Sequence, residues 1–200
     1  MNIGIYIYDK AEVLDFSGPF EVFSTAQRLS NQADLYNVFL VSETGAMVSA
    51  RGNFNVIPDF GFAGHPEIDI LIVVGGIHTQ EIKKPAVLNW INQQSTQSQI
   101  VASVCTGAFL LAAAGILTHQ KVTTHWEDIP DLRTNYPRLE LIEGQRWVDA
   151  GNIISSGGIS AGIDMSLYLV SKTSSLMLAE KTAKQMEFDW TKNQNKASID

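Results

Sequence analysis

Cys105 is the only cysteine among 200 residues, and it stands in "IVASVCTGAFLLAAAG" (100–115), where a short apolar run of β character gives way to an Ala- and Leu-rich helical one. A thiol at a strand-to-helix junction faces the unpaired N–H groups of the helix start and the positive end of its dipole, and both favour thiolate. The expectation is a reactive thiol on a sharp turn, with Gly107 soon after it, that resembles a nucleophile elbow in its mechanics though not in its signature. A small buried hydrophobe is the competing account of a lone cysteine. The nearest candidate proton carrier is Asp15 in "EVLDFSGPFEVF" (12–23), read as a loop residue at the same rim, with Ser17 and Pro19 opening the helix behind it. A solvated loop carboxylate or a cap is its plain alternative, and Glu21, one turn further, reads as a surface or supporting residue.

Other residues could complete or exclude particular chemistries. "VVGG" (73–76) ends a β-type run with Gly75 and Gly76, small enough for a backbone N–H to approach a ligand. If the two strands are neighbours, Gly76 and the amides after Cys105 can hold an oxyanion or a developing negative nitrogen; a simple turn is the alternative. The histidines are His65, His78, His119 and His125, none adjacent to Cys105 in sequence, and no late "HxE" supplies a Cys-His-Glu triad. Thr106 occupies the place where some cysteine hydrolases of this architecture carry His, which argues against a protease or amidotransferase. His125 in "VTTHW" either borders the pocket or packs beside Trp126, and His78 can line the entrance. No HxxxH, HExxH or paired-Cys spacing calls for a metal, and "SSGGISAGID" (155–164) has neither GxGxxG nor a following Lys, so no cofactor is expected. Its glycines read as close packing at a helix start, with Asp164 as a buried hydrogen-bonding residue.

These residues need a scaffold. The runs "IGIYIY" (3–8), "YNVFLVS" (36–42), "IDILIVVGG" (68–76), "QIVASVC" (99–105) and "NIISSGG" (152–158) read as buried strands. Helical spacing recurs between them, at Phe20 to Ala26 after "SGP", at Val87 to Ile91 after Pro85, at Phe109 to Ala114 after the cysteine, and at Ile163 to Val170. Strand alternating with helix implies an α/β fold with a mostly parallel sheet covered on both faces, and in such sheets ligands bind outside the carboxyl ends of the strands, where Cys105 falls. Residues 43–62 read as a hairpin or irregular excursion, and 191–200 as a polar C-terminal tail that frays.

Composition narrows the partners. With 45% apolar and 18% charged residues, 1–190 is expected to form one domain. A net charge of −7 without a Lys/Arg cluster argues against nucleic acid, and the longest uncharged apolar run, around Ala108 to Leu117, is too short to span a membrane. The N-terminus "MNIGIYIYDKAEVLD" does not read as a signal peptide, so a cytoplasmic location is expected.

In order along the chain, "VLDFSGPFEVF", "ILIVVGG", "ASVCTGAFLLAAAGIL", "VTTHW" and "ISSGGISAGIDMSLYLV" resemble the DJ-1/PfpI superfamily, in particular its isonitrile (isocyanide) hydratase branch and the DJ-1-like domain of AraC-type regulators. The resemblance implies a flavodoxin-like three-layer sandwich and a homodimer with its sites near the interface. It places the nucleophile on Cys105, the acidic partner on Asp15, the hydrogen-bonding neighbour on Thr106 and the backbone donor on Gly76, with Gly75, Ile77 and His125 around the substrate. Asp15, where many superfamily members have Glu, and Thr106, where the protease group has His, point to the hydratase branch. The implied function is hydration of a small-molecule isocyanide to an N-substituted formamide through a Cys105 thioimidate. Phe16, Ile77, Trp126 and Ile159 are candidates for the apolar residues around such a substrate, with a core or dimer contact as the equal alternative for each. The alternatives are a glyoxalase- or deglycase-like enzyme on small aldehydes and a non-catalytic redox or small-molecule sensor. Direct transcriptional regulation is not expected, since the chain leaves no length for a DNA-binding part after Trp190.

Overall fold

Strands whose residues are buried at consecutive positions, as in IVASV and ILIV, have no solvent face, and a parallel sheet between helices is the arrangement that hides both sides. The computed structural model describes residues 1–193. The chain runs through β1 (Asn2–Tyr6), α1 (Val13–Leu29), β2 (Asn37–Val41), β3 (Val48–Ser49) and β4 (Asn55–Val56) to β5 (Ile70–Val73), α2 (Pro85–Gln97), β6 (Ile100–Val104) and α3 (Gly107–Ala113). It continues through β7 (Lys121–Val122), α4 (Ile129–Asn135), β8 (Glu140–Leu141), β9 (Trp147–Asp149), β10 (Ile153–Ser156), α5 (Ala161–Thr173) and α6 (Leu176–Gln185).

The main sheet has the order β2-β1-β5-β6-β10-β9, parallel throughout except for the β10/β9 pair. Helices α1, α5 and α6 pack together in one layer, and α2 packs with α3 in the other. The result is the expected flavodoxin-like α/β sandwich, with the small antiparallel β3/β4 hairpin as an excursion. Because the chain steps from β1 outward to β2 and then back across to β5, the strand order reverses between β1 and β5. The crevice beyond their carboxyl ends is where such a sheet binds ligands.

One boundary differs from the sequence reading. The first helix begins at Val13, so Asp15 lies in its first turn rather than in a loop, and Ser17 and Pro19 lie inside it rather than at its start. Packing outweighs the proline: Asp15, Phe16 and Pro19 are buried, and Gly18 meets Ile163 of α5 so closely that an added Cβ would lie 2.9 Å from its Cγ1. Of the tail read at 191–200, residues 194–200 lie outside the described residues. Among the described residues no helix is long and apolar enough to cross a membrane.

Candidate active site

Cys105 follows the last residue of β6 and has φ +54°, in the left-handed region that disfavours residues with a Cβ. The turn is held on both sides. The Cys105 N–H donates to the carbonyls of Ser156 and Gly157 at 3.2 and 3.3 Å, and its carbonyl accepts from Thr124 Oγ1 at 2.8 Å. Gly107 lies against β5: a Cβ there would stand 2.1 Å from the Val73 carbonyl oxygen, so glycine lets α3 start directly under the strand ends. A non-glycine residue forced into this conformation costs on the order of 1–3 kcal/mol and persists only where its surroundings fix it, as these bonds do.

Asp15 is fully buried behind the thiol. Its Oδ2 accepts from the Gly75 N–H at 3.1 Å and its Oδ1 from the Ile159 N–H at 3.2 Å. Burial outweighs these bonds and, with the nearby charge of Glu12, pushes the carboxyl up to about 7. Burial likewise raises the Cys105 thiol well above its ordinary range, the charge of Asp15 raises it further, and the Thr106 N–H offsets only part of this. The thiolate expected from a helix start is therefore not the resting form. With seven residues α3 has a weak dipole, and desolvation of a thiol that is 7% exposed outweighs it. The pair instead holds a proton on sulfur beside a carboxylate able to take it.

The turn after β5 completes the wall. Gly76 has φ +138°, and a Cβ there would lie 2.3 Å from the Lys10 carbonyl oxygen. Its N–H, the expected oxyanion donor, donates to Thr106 Oγ1 at 2.9 Å while the Thr106 hydroxyl donates to the Gly76 carbonyl at 3.0 Å, so the two residues lock each other. The Ile77 N–H donates to the Lys10 carbonyl at 3.1 Å.

Cys105, Thr106, Gly76, Ile77 and His125 all line one cavity of about 280 Å³, with Asp15 and Gly75 behind it. The fold thus brings together the seven residues expected to be catalytic or to border the substrate, and Ile159 with them, while Trp126 lines an adjoining cavity. His78 also lines the thiol cavity, stacked on Phe109 at 4.5 Å and held toward its neutral form by burial. Phe16 does not: it is buried in the core, because the turn that carries Asp15 toward the site points Phe16 away. Glu12, Arg51 and Asp128 at the cavity had no sequence signal, since Glu12 precedes α1 and the other two lie on single 3-10 turns between the main elements. Tyr8, whose charged form would feel Asp15 and Cys105, was missed because it reads as one more apolar strand residue. Among the described residues no group of three or more His, Cys, Asp or Glu side chains is placed to hold a metal ion.

A thiol on a strained strand-to-helix turn, at the switch point of a flavodoxin-like sheet, defines a recognisable class of α/β proteins. The chain belongs to the DJ-1/PfpI family, whose model matches residues 1–172. It is similar to an isonitrile hydratase of Pseudomonas putida, 29% identical over 189 residues that cover 94% of this chain and 78% of the relative. It is also similar to the HTH-type transcriptional regulator GbdR of Pseudomonas aeruginosa (strain UCBPP-PA14), 26% identical over 193 residues. That match takes in 96% of this chain but 52% of GbdR, so the chain spans about half the regulator's length. Among solved structures, an AraC family transcriptional regulator from Pseudomonas putida shares the fold with a TM-score of 0.81 at 20% identity, over 92% of this chain and 98% of that one.

Proposed function

We propose that the protein is a cysteine-dependent hydro-lyase that adds water to an isocyanide, giving an N-substituted formamide. The observation that carries this reading is the buried Cys105–Asp15 pair, a protonated thiol beside a carboxyl held at about 7. The isocyanide carbon accepts a nucleophile and then needs a proton on that same carbon. Asp15 takes the thiol proton as sulfur forms its bond to carbon, then delivers that proton to the carbon, leaving a thioimidate on Cys105 and an ionised Asp15. Water attacks the thioimidate carbon. Asp15 removes a water proton and passes it to nitrogen, the carbon–sulfur bond breaks with its electron pair returning to sulfur, and the remaining hydroxyl proton returns through Asp15 to the thiolate. The sum is isocyanide plus water giving formamide, with the pair regenerated.

The other residues have subsidiary roles in this reading. Thr106, locked to Gly76, fixes the wall against which water is positioned; Gly75 orients the carboxylate; Ile77 and His125 border the substrate. The similarity to the isonitrile hydratase over 94% of the chain supports the substrate class. The same reading has residues 1–190 acting as one domain in a cytoplasmic homodimer. The match to GbdR favours a second reading, a ligand-sensing domain in which the same cavity binds a small molecule without turnover.

The deciding experiment follows formamide formation from a simple alkyl isocyanide by mass spectrometry, using the protein with its thiol reduced and its Cys105→Ala and Asp15→Asn variants. Turnover that falls to background in both variants is the expected result. Turnover that survives in Cys105→Ala overturns the mechanism, and none in the unmodified protein transfers the site to aldehyde chemistry or to sensing.

A further inference from the structure

A second cavity, of about 500 Å³, adjoins the first, and His125 and Ile159 line both. The thiol cavity has room for a small isocyanide and a water, while the larger space beside it contains neither Cys105 nor Asp15, the two groups that carry the proton. Its apolar wall is unusual for a surface. Trp126 is 74% exposed and Ile159 38%, although burial of a tryptophan is worth several times that of a methylene. The His125 ring forms part of the floor and lies directly over Gly158, where an added Cβ would stand 2.1 Å from its Cδ2. Any larger residue at 158 would push the ring into the passage between the two cavities.

Ile159 joins the two cavities in energy as well as in space. It is β-branched yet has φ +56°, in a segment where Gly157 and Gly158 precede it, and its N–H holds Asp15. A strained residue that anchors the proton carrier through its main chain, and offers its side chain to the neighbouring cavity, makes occupancy of that cavity bear on the geometry of the carboxylate. The Arg146 guanidinium at the far side is turned to Asp164 and Ser160 and Glu143 is paired with Arg133, which leaves Trp126, Ile129 and Ile159 as the part of a mixed wall suited to an apolar substituent.

Resting on the hydratase reading, we infer that the substrate's nitrogen carries a bulky aromatic substituent, and that this substituent is seated in the second cavity between Trp126 and Ile159. The test compares kcat/KM for 2-naphthyl and methyl isocyanide in the unmodified protein, in Trp126→Ala, and in Phe54→Ala as a control on an exposed residue of the β3/β4 region. The ratio of the two is expected to favour the naphthyl compound by at least about tenfold and to fall by about that factor in Trp126→Ala but not in Phe54→Ala. A ratio near one, or one unmoved by Trp126→Ala, overturns the subsite while leaving the hydratase reading in place. Calorimetry with N-(2-naphthyl)formamide and N-methylformamide separates the two claims if no isocyanide is turned over. Binding of the naphthyl compound that Trp126→Ala weakens then supports the subsite without the reaction, and equal or absent binding of the two compounds overturns it.

Discussion

At the scale of single residues, the proton between Cys105 and Asp15 sets the pH dependence. Asp15 acts as a base on the thiol and must be ionised to do so, and its carboxyl sits at about 7. Activity is therefore expected to fall as pH drops through 7, with kcat/KM losing about a factor of ten for each further unit of acid. A pH–rate profile from 5 to 9 on a small isocyanide checks this, and a flat acid side would mean that another group carries the proton. Tyr8 makes a second point at this scale. Among the described residues its buried hydroxyl has no hydrogen-bond partner, a state that costs roughly 1–3 kcal/mol, so Tyr8→Phe is expected to unfold at the same or a higher urea concentration than the unmodified protein. A marked loss of stability would show that the hydroxyl has a partner in solution. Cys105, Asp15 and Thr106 were picked out by the ordered motifs that resemble the family, because taken alone a lone thiol at a β-to-α junction also reads as a small buried hydrophobe and a carboxylate beyond the first strand as a cap. The protonation of the thiol was not legible, since it depends on burial that only the assembled site creates.

At the scale of elements, the site exists because two strand ends and one helix start are packed closer than side chains permit. Gly107 under the Val73 carbonyl and Gly75 against Cys105 and Thr106, where a Cβ would lie 2.8 Å from the Cys105 Cβ, are the contacts that force this. Gly107→Ala is expected to lower stability by about 3 kcal/mol, the upper end of ordinary overpacking because the clash is with main chain, and thermal unfolding measures it directly. An unchanged melting temperature would show that α3 can move away from β5 at little cost. The strands that carry the site were readable because β1, β5, β6 and β10 are buried on both faces and so carry apolar or small residues at nearly every position, the serines of β10 included. The antiparallel edge strand β9 has only three residues, Trp147–Asp149, the last of them exposed, and gives no comparable run. Helix α6 is shielded on one side alone by α1 and α5, and its polar outer face hid it. The start of α1 was misplaced for a different reason: Ser17 and Pro19 have the local chemistry of a helix opening, but the packing of Asp15 and Phe16 extends the helix past them.

At the scale of the whole molecule, the site is a cost that the rest of the fold carries, and pH changes its size. The Asp15 carboxyl titrates at about 7 in the folded protein against 3.8 in an ordinary setting, so over that interval the folded chain binds a proton that the unfolded chain has released. Stability from this group is full below pH 3.8 and is lost as pH rises through 7; between pH 8 and pH 6 the folded state gains about 1.4 kcal/mol from it. Other groups act in or near that window. His78, lowered by burial, opposes the gain on the acid side, and Asp164, raised by burial, adds to it. Comparison with Asp15→Asn isolates the carboxylate because the variant keeps both of these groups. Urea unfolding at pH 8 and pH 6 should show the unmodified protein improving relative to the variant by about 1.4 kcal/mol as the pH falls. A difference that stays constant between the two pH values would show that Asp15 is not held near 7. The proton-carrier role would then lose its physical basis even if Asp15→Asn were inactive.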